Sequence, residues 1–325
     1  MSARFSLALA MLTLSWSGAH AAADYPAKPV TVVLPNPPGA IADLVARPTL
    51  EGLRAQLNQP FVMTHRPGAG GAVGTAQAAG ARPDGYTLLI SLPSLVEIPE
   101  TQKATGEKPS FQLEQFEPIG RMTAVPQILL VRADSPWKSI HELLADARAR
   151  PEKITFGSAG AYTAIHLATE MLAHAAGVRL FHVPYQGGAP AVAALLGAQV
   201  DLTNSVVQSV PLVKAGKARA LAIYGEKRYP LLPEVPTLRE VGYDVEAQLW
   251  VGLFALAATP PAVVQRLREA LRVVVSSEAF KETLLKIGTP VSHMDGPEFK
   301  ASLQAQRARL AAILSRVGPH LEKTK

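Results

Sequence analysis

The strongest constraint on the fold is a change of period repeated along the chain. Short β-branched or leucine-rich runs alternate with alanine-rich segments whose apolar positions recur at helical spacing. That alternation is the pattern of an α/β fold. The spacing predicts strands at Val30 to Pro35, Phe61 to Thr64, Thr87 to Ser91, Ile119 to Arg121, Ile128 to Val131, Thr155 to Phe156, Phe181 to Val183 and Ala220 to Tyr224. Helices are predicted at Ile41 to Leu57, Ile140 to Arg150, Ala164 to Ala175, Ala189 to Leu196, Pro261 to Val275 and Glu298 to Val317, with Pro48 expected to kink or shorten the first. A chain of 325 residues outgrows one core and suits two lobes of about 150 residues each. No linker separates them, so the chain is expected to cross between lobes more than once.

Composition narrows the chemistry. With 48% hydrophobic and 18% charged residues the chain has ample material for packed cores. The 32 Lys and Arg are interspersed with 26 Asp and Glu, so the net +6 forms no basic stripe and nucleic acid is not an expected partner. The absence of Cys excludes disulfides, a thiolate nucleophile, Fe–S clusters and thiolate zinc sites, and no cofactor is expected. Residues 1–23 read as a cleavable secretory signal: Arg4, the apolar run Phe5 to Trp16, then small residues from Gly18 to Ala23. A periplasmic protein is expected, and a monomer.

Three turns follow strands and open helices. The first is Pro35-Asn36-Pro37-Pro38-Gly39-Ala40, with Asp43 in the first helical turn. The first N–H groups of a helix lack internal partners and carry about half a positive charge, which suits an anion. The second is Ser158-Ala159-Gly160-Ala161-Tyr162-Thr163, leading to His166; Thr163 is a ligand hydroxyl or a helix cap. The third is Pro184-Tyr185-Gln186-Gly187-Gly188, where Tyr185 either walls a pocket or packs in the core. Open α/β sheets bind ligands at such strand ends.

Rival chemistries fit less well. The stretch Gly68 to Thr75 lacks the Lys of a phosphate loop and the dinucleotide glycine spacing, and reads as a tight loop into a closely packed helix. His166, Glu170 and His174 share a helix face but are poorly spaced for one metal ion, and no metal site is expected. Ser158 as a hydrolase nucleophile fails the elbow pattern because Gly157 directly precedes it. An exported metal-dependent or serine hydrolase using His166 and Glu170 or Ser158 is the alternative to a binding protein.

The ordered segments Tyr25 to Asp43, His65 to Leu89, Ser158 to Met171, Phe181 to Leu202, Lys214 to Ile223 and Leu232 to Gly242 resemble the Bug-type substrate-binding proteins of tripartite tricarboxylate transporters. The likeness covers essentially the whole mature chain. It implies an α/β, two-lobed type II periplasmic binding protein, a Venus flytrap with its ligand cleft between lobes, that captures a small carboxylate by hinge closure. The lobes would be 24–123 with 225–325, and 124–224. The partners implied are integral-membrane transporter subunits and a sensor protein. Ligand contacts implied are Pro38, Gly39, Ala40 and Asp43 in one lobe and Ser158, Gly160, Thr163 and His166 in the other, with Tyr185 and Gly187 nearby. The chain departs from the family at Asn36, where an aromatic is usual, at Ala40 and Tyr162, where Gly is usual, and at Asn204-Ser205, near which an Asp is common. Tyr162 is the largest departure, and its ring is expected to favour a compact or aromatic carboxylate over a citrate-sized one, unless it swings out to the rim.

Overall fold

The computed structural model describes residues 25–321, so the expected signal segment lies outside the described residues. Two sheets carry the fold. The first holds β1 (Val30–Leu34), β2 (Phe61–His65), β3 (Thr87–Ser91), β4 (Phe116–Pro126), β10 (Gln248–Leu256) and β11 (Val291–Asp295), in the order β11-β4-β10-β3-β1-β2. The second holds β5 (Ile128–Arg132), β6 (Thr155–Ser158), β7 (Phe181–Pro184), β8 (Leu202–Ser205) and β9 (Ala218–Ile223), in the order β7-β6-β8-β5-β9. In each, a parallel part is followed by antiparallel strands: β1 runs parallel to β2 and β3, and β6 to β7 and β8.

Helices cover both faces of both sheets. In the first lobe α1 (Ile41–Leu57), α8 (Pro261–Ser276) and α9 (Glu278–Lys286) bury Val45, Leu53, Leu267 and Phe280 in one core. The opposite face holds α2 (Ala72–Ala79), α3 (Ser94–Ala104) and α10 (Gly296–Leu321) around Leu95, Trp250, Phe254 and Phe299. In the second lobe α4 (Ile140–Ala149) and α5 (Ala164–Ala176) pack around Phe156 and Leu172, while α6 (Gly188–Leu196) and α7 (Val210–Lys214) cover Leu130 and Leu195. Pro48, expected to kink or shorten α1, does not shorten it: the helix runs from Ile41 to Leu57. No helix of the described residues is long and apolar enough to cross a membrane.

The exchange between sheets differs from the expected crossings near Thr123 and Tyr224. β4 continues to Pro126, and Gln127 is the first crossover residue. On the return, Gly225 to Ala247 stays with the second lobe, because Tyr229, Leu232 and Val235 fill one of its cores and Leu238 and Val245 the other. The chain re-enters the first sheet at Gln248. The two crossovers are joined by backbone bonds from Gln127 N–H to Ala247 O (3.0 Å), Tyr224 N–H to Gln127 O (2.9 Å) and Ala247 N–H to Tyr224 O (2.9 Å).

The glycine-rich stretch is packing, as its sequence suggests. A Cβ on Gly74 would lie 2.5 Å from Arg66 O and 3.0 Å from Pro35 Cα, both backbone atoms. α2 therefore lies directly against the end of β1, and supports the turn that follows it.

Candidate functional site

The turn after β1 is held by its own carboxylate. Asp43, 1% exposed, accepts from Gly39 N–H at 2.9 Å, from the Arg47 guanidinium at 3.0 to 3.1 Å, and lies 2.9 Å from His65 Nε2 at the end of β2. Burial alone would raise its pKa. The Gly39 amide, His65 and Arg47 outweigh burial, and the carboxyl lies below its ordinary range. Gly39 takes φ +80°, a left-handed backbone that suits glycine, and a Cβ there would meet nothing within 4 Å. With Gly39 N–H already engaged, the donors left for an anion are the first amides of α1, ahead of its first internal bond from Leu44 N–H to Ala40 O at 3.1 Å. Pro38 and Gly39 are exposed and Ala40 is half-buried, so this turn forms a rim.

The turn after β6 is held from beneath. Ser158 is fully buried; its Oγ accepts from Gly160 N–H (3.1 Å), lies 2.9 Å from Gly160 O and 2.6 Å from His182 Nε2 on β7. His166 Nδ1 accepts Tyr162 N–H at 2.8 Å. The His166 and His182 rings stack at 3.9 Å, with Phe156 stacked 4.8 Å from His182. Burial pushes the pKa of His166 down to about 3, assisted by His182, and that of His182 down to about 4. Both rings are neutral at pH 7. His166 thus supports the turn through Tyr162 N–H. The first amides of α5 remain as donors, ahead of its first internal bond from Leu167 N–H to Thr163 O at 2.9 Å.

Thr163 occupies the N-cap position with extended backbone, yet its hydroxyl makes no cap bond and donates instead to Gly160 O at 2.8 Å. Thr163→Ala is therefore expected to lower stability by about 1 kcal/mol through loss of a turn bond, and to weaken ligand binding. Chemical denaturation and calorimetry on the same variant separate the two effects; undiminished affinity would restrict Thr163 to the turn.

Tyr162 has φ +62°, which a non-glycine residue adopts at a cost of about 1–2 kcal/mol. The glycine usual at this position needs no such strain. The Tyr162 ring meets His166 edge-on at 5.8 Å and packs against the cluster holding Leu95, Val96, Leu167 and Trp250. In the third turn Gly187 takes φ +128° ahead of α6, and Tyr185 N–H donates to Ser158 O at 3.0 Å. The Tyr185 side chain packs against the core of Ile128, Leu130 and Leu195.

His182 was absent from the sequence reading. It lies within β7, five positions before Gly187, and only the pairing of Phe156 with His182 and of Ser158 with Pro184 brings it beneath the turn. Near Asn204 and Ser205 the site is uncharged: Asn204 is buried with Nδ2 donating to Thr169 Oγ1 at 3.0 Å, and Ser205 and Ser209 hydroxyls meet at 2.6 Å.

The enzymatic alternatives find no geometry. Among the described residues no group of three or more His, Cys, Asp or Glu side chains can hold a metal ion; His166 is buried and His174 exposed. The Ser158–His182 pair lacks access, since Ser158 is fully buried, and lacks an orienting carboxylate, since Glu170 lies 3.7 Å from His166 instead.

The family model for the tripartite tricarboxylate transporter family receptor, TctC, matches residues 45–318. A Pseudomonas sp. (strain P51) protein described as a UPF0065 protein in the tcbD-tcbE intergenic region is 36% identical over 303 residues, covering 91% of this chain and 88% of its own length. The solved structure of the periplasmic binding protein BugD is 34% identical with a TM-score of 0.77, and the match covers 90% of this chain and 99% of BugD. A Rhodopseudomonas palustris protein, MatC, solved with bound malate, is 27% identical with a TM-score of 0.77 over 89% of this chain and 100% of its own. BugD is a periplasmic binding protein and MatC holds malate, and both share the two-lobed fold seen here. By sequence and architecture together, the chain belongs to the tripartite tricarboxylate transporter receptor family, a family of periplasmic solute-binding proteins.

Proposed function

We propose that this protein captures a small carboxylate in the periplasm by closing its lobes, and presents it to integral-membrane transporter subunits. The observation that carries this reading is the pairing of two donor-rich turns, one in each lobe, at strand ends where a helix begins. Neither Pro35 to Ala42 nor Ser158 to Ile165 holds a Lys or Arg, so backbone amides and hydroxyls hold the anion. Pro38, Gly39 and Ala40 form the first wall; Gly160, Tyr162 and Thr163 form the second, braced from beneath by the buried Ser158, with Tyr185 and Gly187 beside it. Asp43 and His166 act through the turns they brace. The ligand bridges both turns only in the closed state, so its binding energy shifts the lobe equilibrium toward closure. Export through residues 1–23 supplies the location.

A thermal-shift screen of mono-, di- and tricarboxylates and amino acids tests this reading, because a ligand at 100 times its Kd stabilises the folded form by about 2.7 kcal/mol. Absence of stabilisation by every acid would overturn it. Tyr162 sets the selectivity. Tyr162→Gly relieves the backbone strain while removing ring packing, so stability is expected to change by no more than about 1 kcal/mol. Calorimetry on the variant should show the order of affinities moving toward larger acids such as citrate. An unchanged order would show that the ring packs away from the ligand.

A further inference from the structure

A dianion held by amides alone leaves its charge unanswered in a partly desolvated cleft, and the structure points to where a compensating charge arises. We propose that His182 is the latent countercharge of the site, taking a proton from solvent when a carboxylate seats against the Ser158 turn. The proposal rests on the reading that this turn binds the anion.

The geometry selects His182 over its neighbour. His166 Nδ1 accepts Tyr162 N–H, so a proton on that atom would break the bond that holds the turn. His182 Nε2 faces the Ser158 hydroxyl at 2.6 Å. In the charged ring Nε2–H donates to Oγ, and the hydroxyl proton goes to Gly160 O, 2.9 Å away. Ser158 Oγ still accepts Gly160 N–H, and Thr163 still donates to Gly160 O. The turn keeps all its bonds while gaining a positive charge one side chain away.

The groups facing His182 favour this assignment. From β6 it meets Phe156 and Ser158, both uncharged. From α5 it meets the neutral His166 ring at 3.9 Å, behind which Glu170 lies 3.7 Å from His166 Nε2. Burial raises the Glu170 pKa to about 7, so in mild acid Glu170 is neutral and does not compete with the ligand as the anion that charges His182. α6 (GAPAVAALL) and β8 (LTNS) contain no ionisable side chain. In the ligand-free protein burial keeps His182 near 4. A unit negative charge about 6 Å away, at an effective dielectric constant of about 20, raises a pKa by about 2 units. That places the bound-state value near the histidine norm.

The test uses the full chain labelled with ¹⁵N-histidine, titrated from pH 7 to 4 with and without saturating malate, succinate, benzoate or citrate, with amide shifts reporting binding. The His182 midpoint is expected to rise by about 1–2 units in the bound protein. In parallel, His182→Gln preserves an N–H donor toward Ser158 but cannot charge. Wild-type affinity relative to this variant should rise about tenfold between pH 7 and pH 5, and the ratio cancels protonation of the acid itself. An acid that binds without moving the His182 midpoint, or an unchanged ratio, overturns the proposal and leaves the binding function intact. Failure of every acid to bind overturns both.

Discussion

Asp43→Ala is expected to lower the unfolding free energy by about 2–3 kcal/mol and to reduce carboxylate affinity by at least tenfold, since hydrogen bonds to a charged group contribute about 1.5–3 kcal/mol each. Asp43 links Gly39 in the turn, Arg47 one helical turn on and His65 on the neighbouring strand. Without it the Gly39 amide loses its acceptor and the Pro38–Ala40 rim is no longer fixed against α1. Arg47 itself is 59% exposed, so its release costs little, and the loss comes mainly from the turn and His65. Asp43→Asn retains an acceptor for Gly39 and should lose less of both quantities. Denaturant melts and calorimetry on the two variants check this; full affinity in Asp43→Ala would show that the turn is set by other contacts. The acid dependence has a definite sign. The folded pKa lies below 3.8, so the Asp43 contribution is complete above that value and disappears as pH falls through the folded pKa.

Glu97→Gln should do the opposite and stabilise the protein, by about 4 kcal/mol at pH 8. Glu97 is 7% exposed on α3, lining a crevice where α3 and α10 meet α5 beside Gln127, and its Oε2 finds no hydrogen-bond partner among the described residues. Burial raises its pKa to about 8. Between pH 4.5 and 8 the folded state therefore holds a proton that the unfolded chain has released, so the Glu97 contribution is greatest in acid and is lost as pH rises toward 8. Glutamine matches the protonated acid in shape and carries no such dependence. The difference in stability between variant and wild type should grow steadily from pH 5 to pH 8; a difference that is constant with pH would mean that Glu97 is ionised in the fold. The crevice is walled by Leu167 and Met171 from the second lobe and Leu310 and Ile313 from the first.

The α/β class, most strands and helices, and the three turns were legible in the sequence because each depends on local pattern: a period of two or 3.6, a glycine where the backbone turns left-handed, a proline beside it. Strands buried on both faces were less legible. β10 reads Gln248-Leu-Trp-Val-Gly-Leu-Phe-Ala-Leu256, an apolar run without alternation, because it lies between β3 and β4 with cores on either side. β8 is short and its Thr203 and Asn204 look like loop residues, yet both are fully buried and hydrogen-bonded. The extent of the lobes was also hidden, since whether Gly225 to Ala247 joins one core or the other depends on which apolar surface it meets after folding.

The same division runs through the site. Sequence alone determined where backbone donors gather, because helix starts and glycine turns are local, and it determined that no basic side chain stands among them. Only the tertiary structure decided which polar side chains are turned inward to hold the frame of the turns. Asp43 and His166, both legible as polar residues near the turns, are directed back into the protein, and Tyr185 packs on a core. His182 enters solely because the parallel pairing of β6 with β7 brings it to Ser158, 24 residues away in the chain. Local preference fixes backbone direction, but the neighbours that desolvate, brace or charge a side chain come from distant segments, and their identity is set when the sheets pair and the cores close.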